Sequence, residues 1–519
     1  MSDTSSFSVR RLDAAGQVLT IIALGAVVRF LLAATVGLGV DESYVVAVSR
    51  QLSLSYFDHP PLHLWLVGLT AKLAGSEAGE VVRLPFVLCF AGTTYYVWRI
   101  SRRLFSERAG VTAALLLNVS AVFSLSSGGW VLPDGPLMLC MTASVDRITS
   151  ILFGDGAEVG VNATSPNRTG DWALAGALTG LAMLSKYHGV FVLAGTAVFL
   201  ASSAPHRRWL RAPGPYIGTA IALAMFAPVI IWNAQHEWVS FAFQGARAAP
   251  MTGIHFDTFG ANIAGQMAWV LPWIFVPLVA AAWRALRAGN GDAPRWFLAC
   301  VAGGPILGFT LVSLRGDVGL PHWQAPGWLF VFPMLGAAVV ERMDRGSIGT
   351  QRWMRWSVRG YLVLILLLTS HAATGWLARV APGAFGRNDP TGDLVTWDQL
   401  PRALESIAGP EPAFVAATSW IQAGKAAIGL GPEVPVLCLC ADPHHFRYTT
   451  DDRALLGRSG IIVKKQRAGD DVRERFAPYF DRIDSVGTMR VTRGEQEVML
   501  VDLFRATGFR AVYPSDQPR

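Results

Sequence analysis

Long apolar runs recur along most of this chain and constrain its fold more than any other feature. Runs of roughly 18 to 22 residues, the length that crosses a hydrocarbon core as a helix, lie near residues 18–38, 82–98, 109–126, 213–231, 259–282, 296–313, 323–340 and 360–381. Shorter candidates lie near 136–153, 172–185 and 188–202. With 52% hydrophobic residues and 18 Trp in 519 residues, the chain is too apolar for an ordinary soluble enzyme. The pattern predicts a polytopic α-helical membrane protein with about eleven transmembrane helices.

The basic residues predict how these helices are oriented. Arg10 and Arg11 precede the first run, and arginines cluster again in the segments 99–108, 207–211, 284–295 and 342–359. Because cytoplasmic loops carry the Lys and Arg excess, the amino terminus is expected inside and the 39–81 loop outside. The first run resembles an uncleaved signal anchor, which predicts retention in the inner membrane as a multi-pass protein.

The chain after residue 382 is expected on the outer side and has a different composition. Residues 382–519 contain 18 acidic and 17 basic residues, so the formal net charge of +7 comes from the membrane part. That charge therefore indicates topology and does not indicate a nucleic-acid partner. We expect two domains, a transmembrane domain over residues 1–381 and an outer α/β domain over residues 382–519.

The outer domain has the alternating pattern of a small α/β unit. Segments with strand character lie at 412–418, 434–440, 460–465 and 497–504, and Gln422 to Ile428 favour a helix. The unit contains no phosphate loop and no nucleophile elbow, so acceptor handling or packing is its expected role. A zinc site with Cys438, Cys440, His444 and His445 is a less favoured alternative.

Ionisable residues crowd the first outer loop. Asp41 and Glu42 follow the first apolar run, and Asp58 and His59 precede a pair of prolines. Apolar residues after Asp41 have near helical spacing, which predicts a helix lying in the membrane interface. Helix capping by Asp41 and Asp58 is the plain alternative. Capping does not explain why four ionisable groups lie in one short loop of a membrane protein.

The other outer loops carry similar residues. Asp134 lies between two apolar runs, Lys186 lies at a short turn between two short helices, and His236, Arg247 and His322 lie in two further outer loops. Capping of a helix by Asp134 and snorkelling of Lys186 to the interface are the alternatives. Together these residues predict one aqueous face with carboxylates, cations and histidines, as a site for a phosphorylated carbohydrate requires.

The order of the motifs resembles a known group of enzymes. The chain carries DESY (41–44), SYFDHPPLHLWL (55–66), LPDGPL (132–137), SKYHG (185–189), WNAQHEWVSFAFQ (232–244), GLPHWQAPGW (319–328) and NDPTGDLVTW (388–397). This order resembles the bacterial integral-membrane glycosyltransferases of C-type architecture. That group contains the protein O-mannosyltransferases and the lipid A aminoarabinose and galacturonic acid transferases. The resemblance extends from about residue 15 to residue 510, and the acidic pair and the DHPP segment are its most specific parts.

The resemblance implies transfer of a sugar from a polyprenyl-phosphate carrier to an envelope acceptor at the periplasmic face. Asp41 matches the acidic residue of the group that follows the first span, and its implied role is general base. Glu42 completes the pair and orients it, and Asp134 binds acceptor or supports the base. A phosphate leaving group needs cations more than a general acid, and a single displacement inverts the anomeric configuration. Lipid A or the lipopolysaccharide core is the favoured acceptor by analogy.

The sequence departs from the aminoarabinose branch at two positions. His59 stands where that branch has a Lys before the double proline, and Tyr44 stands where it has an Arg. Donor phosphate binding is therefore assigned to Lys186 and Arg247, and after them to His59.

Asp58, His236 and His322 are further candidates for the acceptor site or cavity. No cofactor is firmly implied. A divalent metal is left open, with Asp58 and His236 as the ligands to test. The alternatives are a protein O-glycosyltransferase of the same architecture and a lipid-linked sugar transporter. A transporter is disfavoured because the chain has no evident internal repeat and its carboxylates lie at one face.

Overall fold

The structure is a computed structural model that describes residues 12–154, 168–247, 253–316, 319–385, 389–406, 412–466 and 471–514. Residues up to 385 are almost entirely helical. Their helices are α1 (Ala14–Thr35), α2 (Val40–Ser49), α3 (Leu62–Ala74), α4 (Gly79–Leu104), α5 (Glu107–Asn118), α6 (Asp134–Phe153), α7 (Thr169–Ser185), α8 (Val190–Ser202), α9 (Gly214–Met225), α10 (Ala227–Gln235), α11 (Val239–Arg247), α12 (Phe256–Val270), α13 (Pro272–Ala288), α14 (Ala293–Val312), α15 (Ala325–Leu329), α16 (Phe332–Asp344), α17 (Ile348–Thr374), α18 (Trp376–Val380) and α19 (Pro382–Phe385).

Several helices have the length and composition of membrane spans. Six meet both criteria within the described residues: α1, α4, α6, the α9–α10 pair, α14 with its final turn, and α17. The bent pair α12–α13 makes a seventh if it is one span. A mostly helical membrane fold is thereby confirmed. The run predicted at 109–126 is divided between α5 and a π-helical turn, Val122–Ser127.

The bend between α12 and α13 has a clear local cause. The two helices meet at 110°, and Pro272 begins the second one. Proline has no backbone N–H and disfavours helical geometry at the residue before it. Leu271, the residue before Pro272, leaves the helix with φ 84°, a conformation that non-glycine residues rarely adopt. The bend places Trp269 and Leu271 beside the two cavities described below.

The helices differ in how deeply they lie in the bundle. In α6, 83% of the span is buried, whereas only 17% of α1 is buried. Since no water is present to drive association in lipid, close backbone contact between helices matters more than in soluble proteins. Gly176 of α7 supplies such a contact, because a Cβ added there would lie 2.1 Å from the carbonyl oxygen of Gly218 in α9.

The C-terminal part is a small domain built on a mixed sheet. Its elements are α20 (Leu400–Ser406), β1 (Val415–Ala417), α21 (Trp420–Leu430), β2 (Val436–Cys438), α22 (Phe446–Thr449), β3 (Gly460–Lys465), α23 (Val472–Phe476), β4 (Phe480–Arg493) and β5 (Gln496–Phe509). The strand order is β2-β1-β3-β5-β4. Strands β1, β2 and β3 are parallel, and β5 pairs antiparallel with β3 and β4. The predicted small α/β unit is confirmed.

Strand β4 was not predicted from the sequence. Among the described strands it pairs only with β5, and much of its surface is exposed. Its sequence, FDRIDSVGTMRVTR, alternates polar and apolar residues weakly because an edge strand buries little of either face. The hydrophobic pattern of the sequence therefore predicted the partner strand β5 but not β4.

Helix α2 lies between the bundle and the C-terminal domain. The sequence predicted a helix lying in the membrane interface, but residues Glu42 to Ser49 are all buried. The backbone of α21 approaches α2 closely, because a Cβ at Gly424 would lie 2.9 Å from the amide nitrogen of Tyr44. The apolar residues of α2 therefore contact protein instead of lipid, and the helix connects the two parts of the molecule.

Candidate active site

A cavity of about 600 Å³ lies where the segment between α1 and α4, the ends of the membrane helices and the C-terminal domain meet. We call it the charged cavity because of its ionisable lining. Six of the nine candidate residues from the sequence line it: Asp41, Asp58, His59, Asp134, Lys186 and His322. These residues come from five of the motifs along the chain, and the fold brings them to one cavity.

Asp41 and Glu42 are neighbours in sequence but have different surroundings. Successive helical residues point about 100° apart, so Asp41 is exposed at the cavity while Glu42 is buried. The Glu42 carboxylate accepts hydrogen bonds from the Arg83 guanidinium at 2.5 and 2.7 Å. It also accepts from the backbone N–H groups of Gly39 at 2.8 Å and Val131 at 3.0 Å. Glu42 therefore fixes the start of α2.

The charge of Glu42 is stabilised by these contacts. Burial opposes ionisation, but Arg83 and the two backbone donors hold the pKa of Glu42 below its ordinary value. The carboxylate is consequently ionised at neutral pH and accepts hydrogen bonds only. The pair Glu42–Arg83 is buried on both sides, with side-chain exposures of 4% and 2%. Its geometry suits a positioning role for the neighbouring Asp41.

Tyr44 occupies the position where the aminoarabinose branch has an Arg, and it holds Asp58. The Tyr44 hydroxyl donates to Asp58 Oδ1 at 2.8 Å. Burial and the Asp58 charge raise the pKa of Tyr44 well above its ordinary value, so the hydroxyl keeps its proton. Gln244 of α11 donates to the Asp58 carbonyl at 2.6 Å. Tyr44 and Gln244 thus fix Asp58 through neutral donors.

Asp134 and Lys186 form a buried ion pair. The Lys186 Nζ lies 3.0 and 3.1 Å from the two Asp134 oxygens, and the Ser185 hydroxyl donates to the Pro133 carbonyl at 2.7 Å. Asp134 begins α6 and Lys186 follows the last residue of α7. Both charges are stabilised by the helix dipoles, since anions are favoured at amino termini and cations at carboxyl termini. Lys186 is therefore held in the protein and does not snorkel.

His322 lines the charged cavity from the segment between α14 and α15. Burial, and secondarily the nearby Lys186 charge, lower its pKa to about 4. The imidazole is therefore neutral at physiological pH. A neutral His322 can donate or accept one hydrogen bond but brings no positive charge to a substrate phosphate.

Two candidates with described side chains, Glu42 and His236, do not line the charged cavity. Glu42 is engaged with Arg83 as described. The His236 ring stacks on Trp232 with centroids 4.0 Å apart, and its Nδ1 lies 2.7 Å from the Trp232 carbonyl oxygen. Arg247 is the last residue of α11, and its side chain lies outside the described part of the chain.

The C-terminal domain contributes lining residues that the sequence did not assign to this site. Trp420 and His444 both line the charged cavity. His444 is 7% exposed, has φ 51°, and packs edge-on against Tyr44, Phe57 and Trp420. The signal was present, because ligand-binding residues in α/β units follow the carboxyl ends of parallel strands. His444 follows β2 in this way.

A second cavity, which we call the apolar groove, adjoins the first. It has a volume of about 530 Å³ and is lined mainly by aliphatic residues of α1, α17 and the α12–α13 bend. Trp130 and Trp269 line both the apolar groove and the charged cavity. Two arginines also line the groove, Arg83 and the buried Arg29, which donates to the Ser124 carbonyl at 2.8 Å.

No group of three or more His, Cys, Asp or Glu side chains that could hold a metal occurs among the described residues. The Asp58 carboxylate accepts from Tyr44, and His236 stacks on Trp232. Cys438 and Cys440 are thiols in this structure. No step of the chemistry below is assigned to a metal.

Comparisons with known proteins agree with this geometry. The family model described as dolichyl-phosphate-mannose-protein mannosyltransferase matches residues 58–232. The lipid A galacturonosyltransferase RgtD of Rhizobium johnstonii is 26% identical over 261 residues, which are 49% of this chain and 50% of that protein. The chain thus spans about half the length of the curated relative that it matches.

Two solved structures share the fold over nearly the whole chain. The crystal structure of ArnT from Cupriavidus metallidurans bound to undecaprenyl phosphate matches with a TM-score of 0.62 and 16% identity, covering 95% of this chain and 98% of that one. The apo form matches with a TM-score of 0.60, 15% identity and the same coverage. At these identities the likeness shows the fold. Together with the family model and the relative, it confirms the resemblance to the C-type membrane glycosyltransferase group.

Proposed function

We propose, from the confirmed resemblance to C-type membrane glycosyltransferases, that this chain transfers a sugar from a polyprenyl-phosphate carrier to an envelope acceptor. Lipid A or the lipopolysaccharide core is the favoured acceptor. RgtD, by its name, acts on lipid A, and the similar ArnT structure holds undecaprenyl phosphate. The donor is the only small molecule that the proposal requires.

One observation carries the proposal. A cavity with carboxylates and a buried ammonium group adjoins a mainly aliphatic groove of similar volume, and Trp130 and Trp269 line both. A lipid-linked sugar phosphate has the same division, with a charged head and a hydrocarbon tail. The head requires hydrogen bonds and countercharge, and each buried methylene of the tail contributes about 0.8 kcal/mol. The two sites together suit such a molecule.

The reaction is a single displacement at the anomeric carbon. An acceptor hydroxyl oxygen attacks that carbon, the bond from the carbon to the phosphate oxygen breaks, and polyprenyl phosphate leaves. Asp41 accepts the hydroxyl proton as general base. Because attack and departure occur on opposite faces, the configuration inverts. Glu42 positions Asp41 through the start of α2.

Lys186 contacts the donor phosphate in this proposal. An ammonium group has three N–H donors, and Asp134 accepts two contacts from it. The third donor can therefore contact a phosphate oxygen while the ion pair stays intact. Asp134 supports the reaction by fixing Lys186. His59 and Arg247 are the further phosphate ligands, and Asp58, His236 and His322 remain candidates for acceptor binding.

The proposal places the charged cavity and the C-terminal domain in the periplasm and the amino terminus in the cytoplasm of a bacterial inner membrane protein. Eleven spans result if the shorter helices α7 and α8 and the helices near 109–126 and 323–340 also cross the membrane. External protease added to spheroplasts should then cleave the 382–519 region while a cytoplasmic marker stays intact. Protection of that region would contradict this topology.

A protein acceptor is the second candidate, because the matching family model is described as a protein mannosyltransferase. The two candidates differ in the product. Glycolipids and lipopolysaccharide from a deletion strain should be compared by mass spectrometry with those from strains complemented by the parent and by Asp41→Asn. We expect one discrete sugar mass to be lost and to return only with the parent. An unchanged glycolipid profile with an altered glycoprotein would favour the protein acceptor.

A further inference from the structure

A third cavity lies between the C-terminal domain and the start of α2, and it shares no lining residue with the charged cavity. Its volume is about 390 Å³. Four cationic side chains and one carboxylate line it: Lys425, Lys464, Lys465, Arg475 and Asp393. We call it the basic pocket. Neither the proposed transfer reaction nor the sequence motifs assign it a role.

The charge of the basic pocket is unlike that of the domain around it. Residues 382–519 carry one more acidic than basic residue, whereas the pocket lining carries three more cations than anions. Like charges that converge on one cavity repel one another and destabilise the folded state. Such a cluster is therefore informative, since a bound anion would relieve the repulsion.

Two of the cations are also buried, and burial adds to the free-energy cost of keeping their side chains charged. Lys425 and Lys464 are 3% and 6% exposed. The Lys425 ammonium donates to the carbonyl oxygens of Leu38 at 2.5 Å and Val395 at 3.2 Å, which are neutral acceptors. Burial lowers its pKa to about 8, so it remains mostly charged at pH 7. The pocket carboxylate, Asp393, lies 3.4 Å from Lys465.

The position of the basic pocket in the sheet is the one that α/β proteins use for ligands. Thr418 and Ser419 follow β1, and Lys464 and Lys465 end the parallel neighbour β3, so these lining residues lie at the carboxyl edge of the sheet. Helix α21 begins at the same edge, with its positive end toward the pocket. Hydroxyl groups, ammonium groups and a helix terminus are the donors that phosphate groups use in proteins.

We propose that the basic pocket binds a phosphate ester or diphosphate, as a site separate from the charged cavity. The separation is visible in α21, where Trp420 lines the charged cavity while Ser419 and Gln422 line the basic pocket. Both sites can therefore be occupied together. The pocket volume fits a phosphate, a diphosphate or a phosphorylated sugar unit, and the phosphate chemistry does not depend on the proposed transferase activity.

Calorimetric titration of the intact protein in detergent with inorganic pyrophosphate tests this proposal. Lys465→Glu and Arg475→Glu change partly or fully exposed residues of the basic pocket. Arg473→Glu is the matched control, because Arg473 lies on the same helix, pairs with Asp471 and does not line the pocket. We expect each pocket variant to weaken pyrophosphate binding by about tenfold or more, and Arg473→Glu to bind as the parent does.

A second variant separates this site from the proposed donor site. The double substitution Asp134→Asn with Lys186→Gln removes the ion pair of the charged cavity without leaving one charge buried alone. It should retain pyrophosphate binding if the basic pocket is the site. The proposal is overturned if pyrophosphate binds equally to the parent and to both pocket variants, or if only the double variant loses binding.

Lipid competitors identify where the phosphate comes from. Nanodiscs containing lipid A are compared, as competitors of pyrophosphate, with nanodiscs containing the same lipid after enzymatic removal of its phosphates. Competition by the phosphorylated lipid alone supports a lipid headgroup as the source. Binding of pyrophosphate without competition by either lipid supports a free phosphate compound. Equal competition by both lipids would contradict recognition of phosphate.

Discussion

The charged cavity and the apolar groove are similar in size but differ in chemistry. Their volumes are about 600 and 530 Å³, and Trp130 and Trp269 line both. Ionisable groups of the charged cavity come from loops and helix ends, whereas the groove is lined mainly by aliphatic residues within helices. A charge is inexpensive near water and costly at the centre of a bilayer. The arrangement therefore separates an ionisable lining from an aliphatic lining within one continuous region.

A buried ion pair connects the lining of the apolar groove to helix α2. Arg83 lines the apolar groove and binds Glu42, whose neighbour Asp41 lines the charged cavity. In the proposed mechanism the same acidic pair contributes one residue, Asp41, to the reaction, while Glu42 stabilises the start of α2. Substitutions on either side should consequently give separable effects on turnover, donor affinity and stability.

The largest expected effect follows from Asp41→Asn. Removal of a general base lowers kcat by about 10²- to 10⁴-fold. Because Asp41 is exposed at the charged cavity, the melting temperature should stay near that of the parent. Turnover and thermal unfolding of the purified protein measure both quantities. Glu42→Gln is the matched comparison, and it should lower the melting temperature because it leaves Arg83 without its countercharge. An Asp41→Asn protein with parental turnover would exclude Asp41 as the base.

The next effect concerns the Asp134–Lys186 pair. Lys186→Met alone should destabilise the protein by about 3–5 kcal/mol, since it leaves the Asp134 carboxylate buried without a partner. The double variant Asp134→Asn with Lys186→Gln should recover much of that stability. Its KM for the polyprenyl-phosphate donor should nevertheless rise about tenfold or more, because a phosphate contact is lost. A parental KM in the double variant would remove Lys186 from the donor site.

Filling the apolar groove should have a smaller and more selective effect. Ala268 lines the groove, and the tryptophan ring of Ala268→Trp would displace several methylene groups of a lipid tail. KM should rise about tenfold for a long-chain donor and change little for a donor with a short prenyl chain. Ala264→Trp, one turn earlier on α12 and outside the groove lining, is the control. Equal effects on long and short donors would argue against the groove as the tail site.

The smallest expected effect is on the pH dependence of folding stability. It concerns a contact between the C-terminal domain and the loop that carries Asp58. The His445 Nδ1 accepts a hydrogen bond from the Phe57 amide at 3.2 Å, and burial lowers the pKa of His445 to about 3. The unfolded chain therefore binds a proton that the folded protein excludes between roughly pH 3 and 6.5. Folding stability should fall as pH decreases through this window, by up to about 1.4 kcal/mol per pH unit from this residue.

His445→Asn tests that prediction. Asparagine keeps a hydrogen-bond acceptor but does not titrate. The free energy of unfolding should therefore vary less steeply with pH between 6 and 5 than in the parent. Thermal unfolding of both proteins over this range measures the difference. The other histidines titrate in both proteins, so identical pH slopes would show that the buried His445 does not carry the effect.

Much of the fold could be predicted because its signals are local. Apolar length identifies α1, α4 and α17, and runs of apolar β-forming residues indicate β3 and β5. The edge strand β4 was missed because it buries little of either face. The buried state of α2 was missed for a related reason, since an apolar helix face does not reveal whether lipid or protein covers it.

The candidate site, like the fold, was predicted from the sequence only in part. Sequence motifs indicated six residues that the charged cavity brings together. They did not indicate His444, because its contribution depends on how the C-terminal domain docks on α2. They also treated Asp41 and Glu42 as one acidic pair. Only the helical rotation of about 100° between neighbours, and the presence of Arg83 below, assigns them different surroundings.

The sequence by itself determined that this is a multi-pass membrane protein with a small C-terminal α/β domain and an ordered set of polar loop motifs. Those properties depend on apolar length, composition and spacing, which are all visible along the chain. Tertiary structure alone decided that Lys186 pairs with Asp134, 52 residues earlier, that Tyr44 holds Asp58, and that four cations from three segments of the C-terminal domain converge on one pocket. Such contacts depend on how helices and strands pack, and they cannot be predicted from the distance between residues along the sequence.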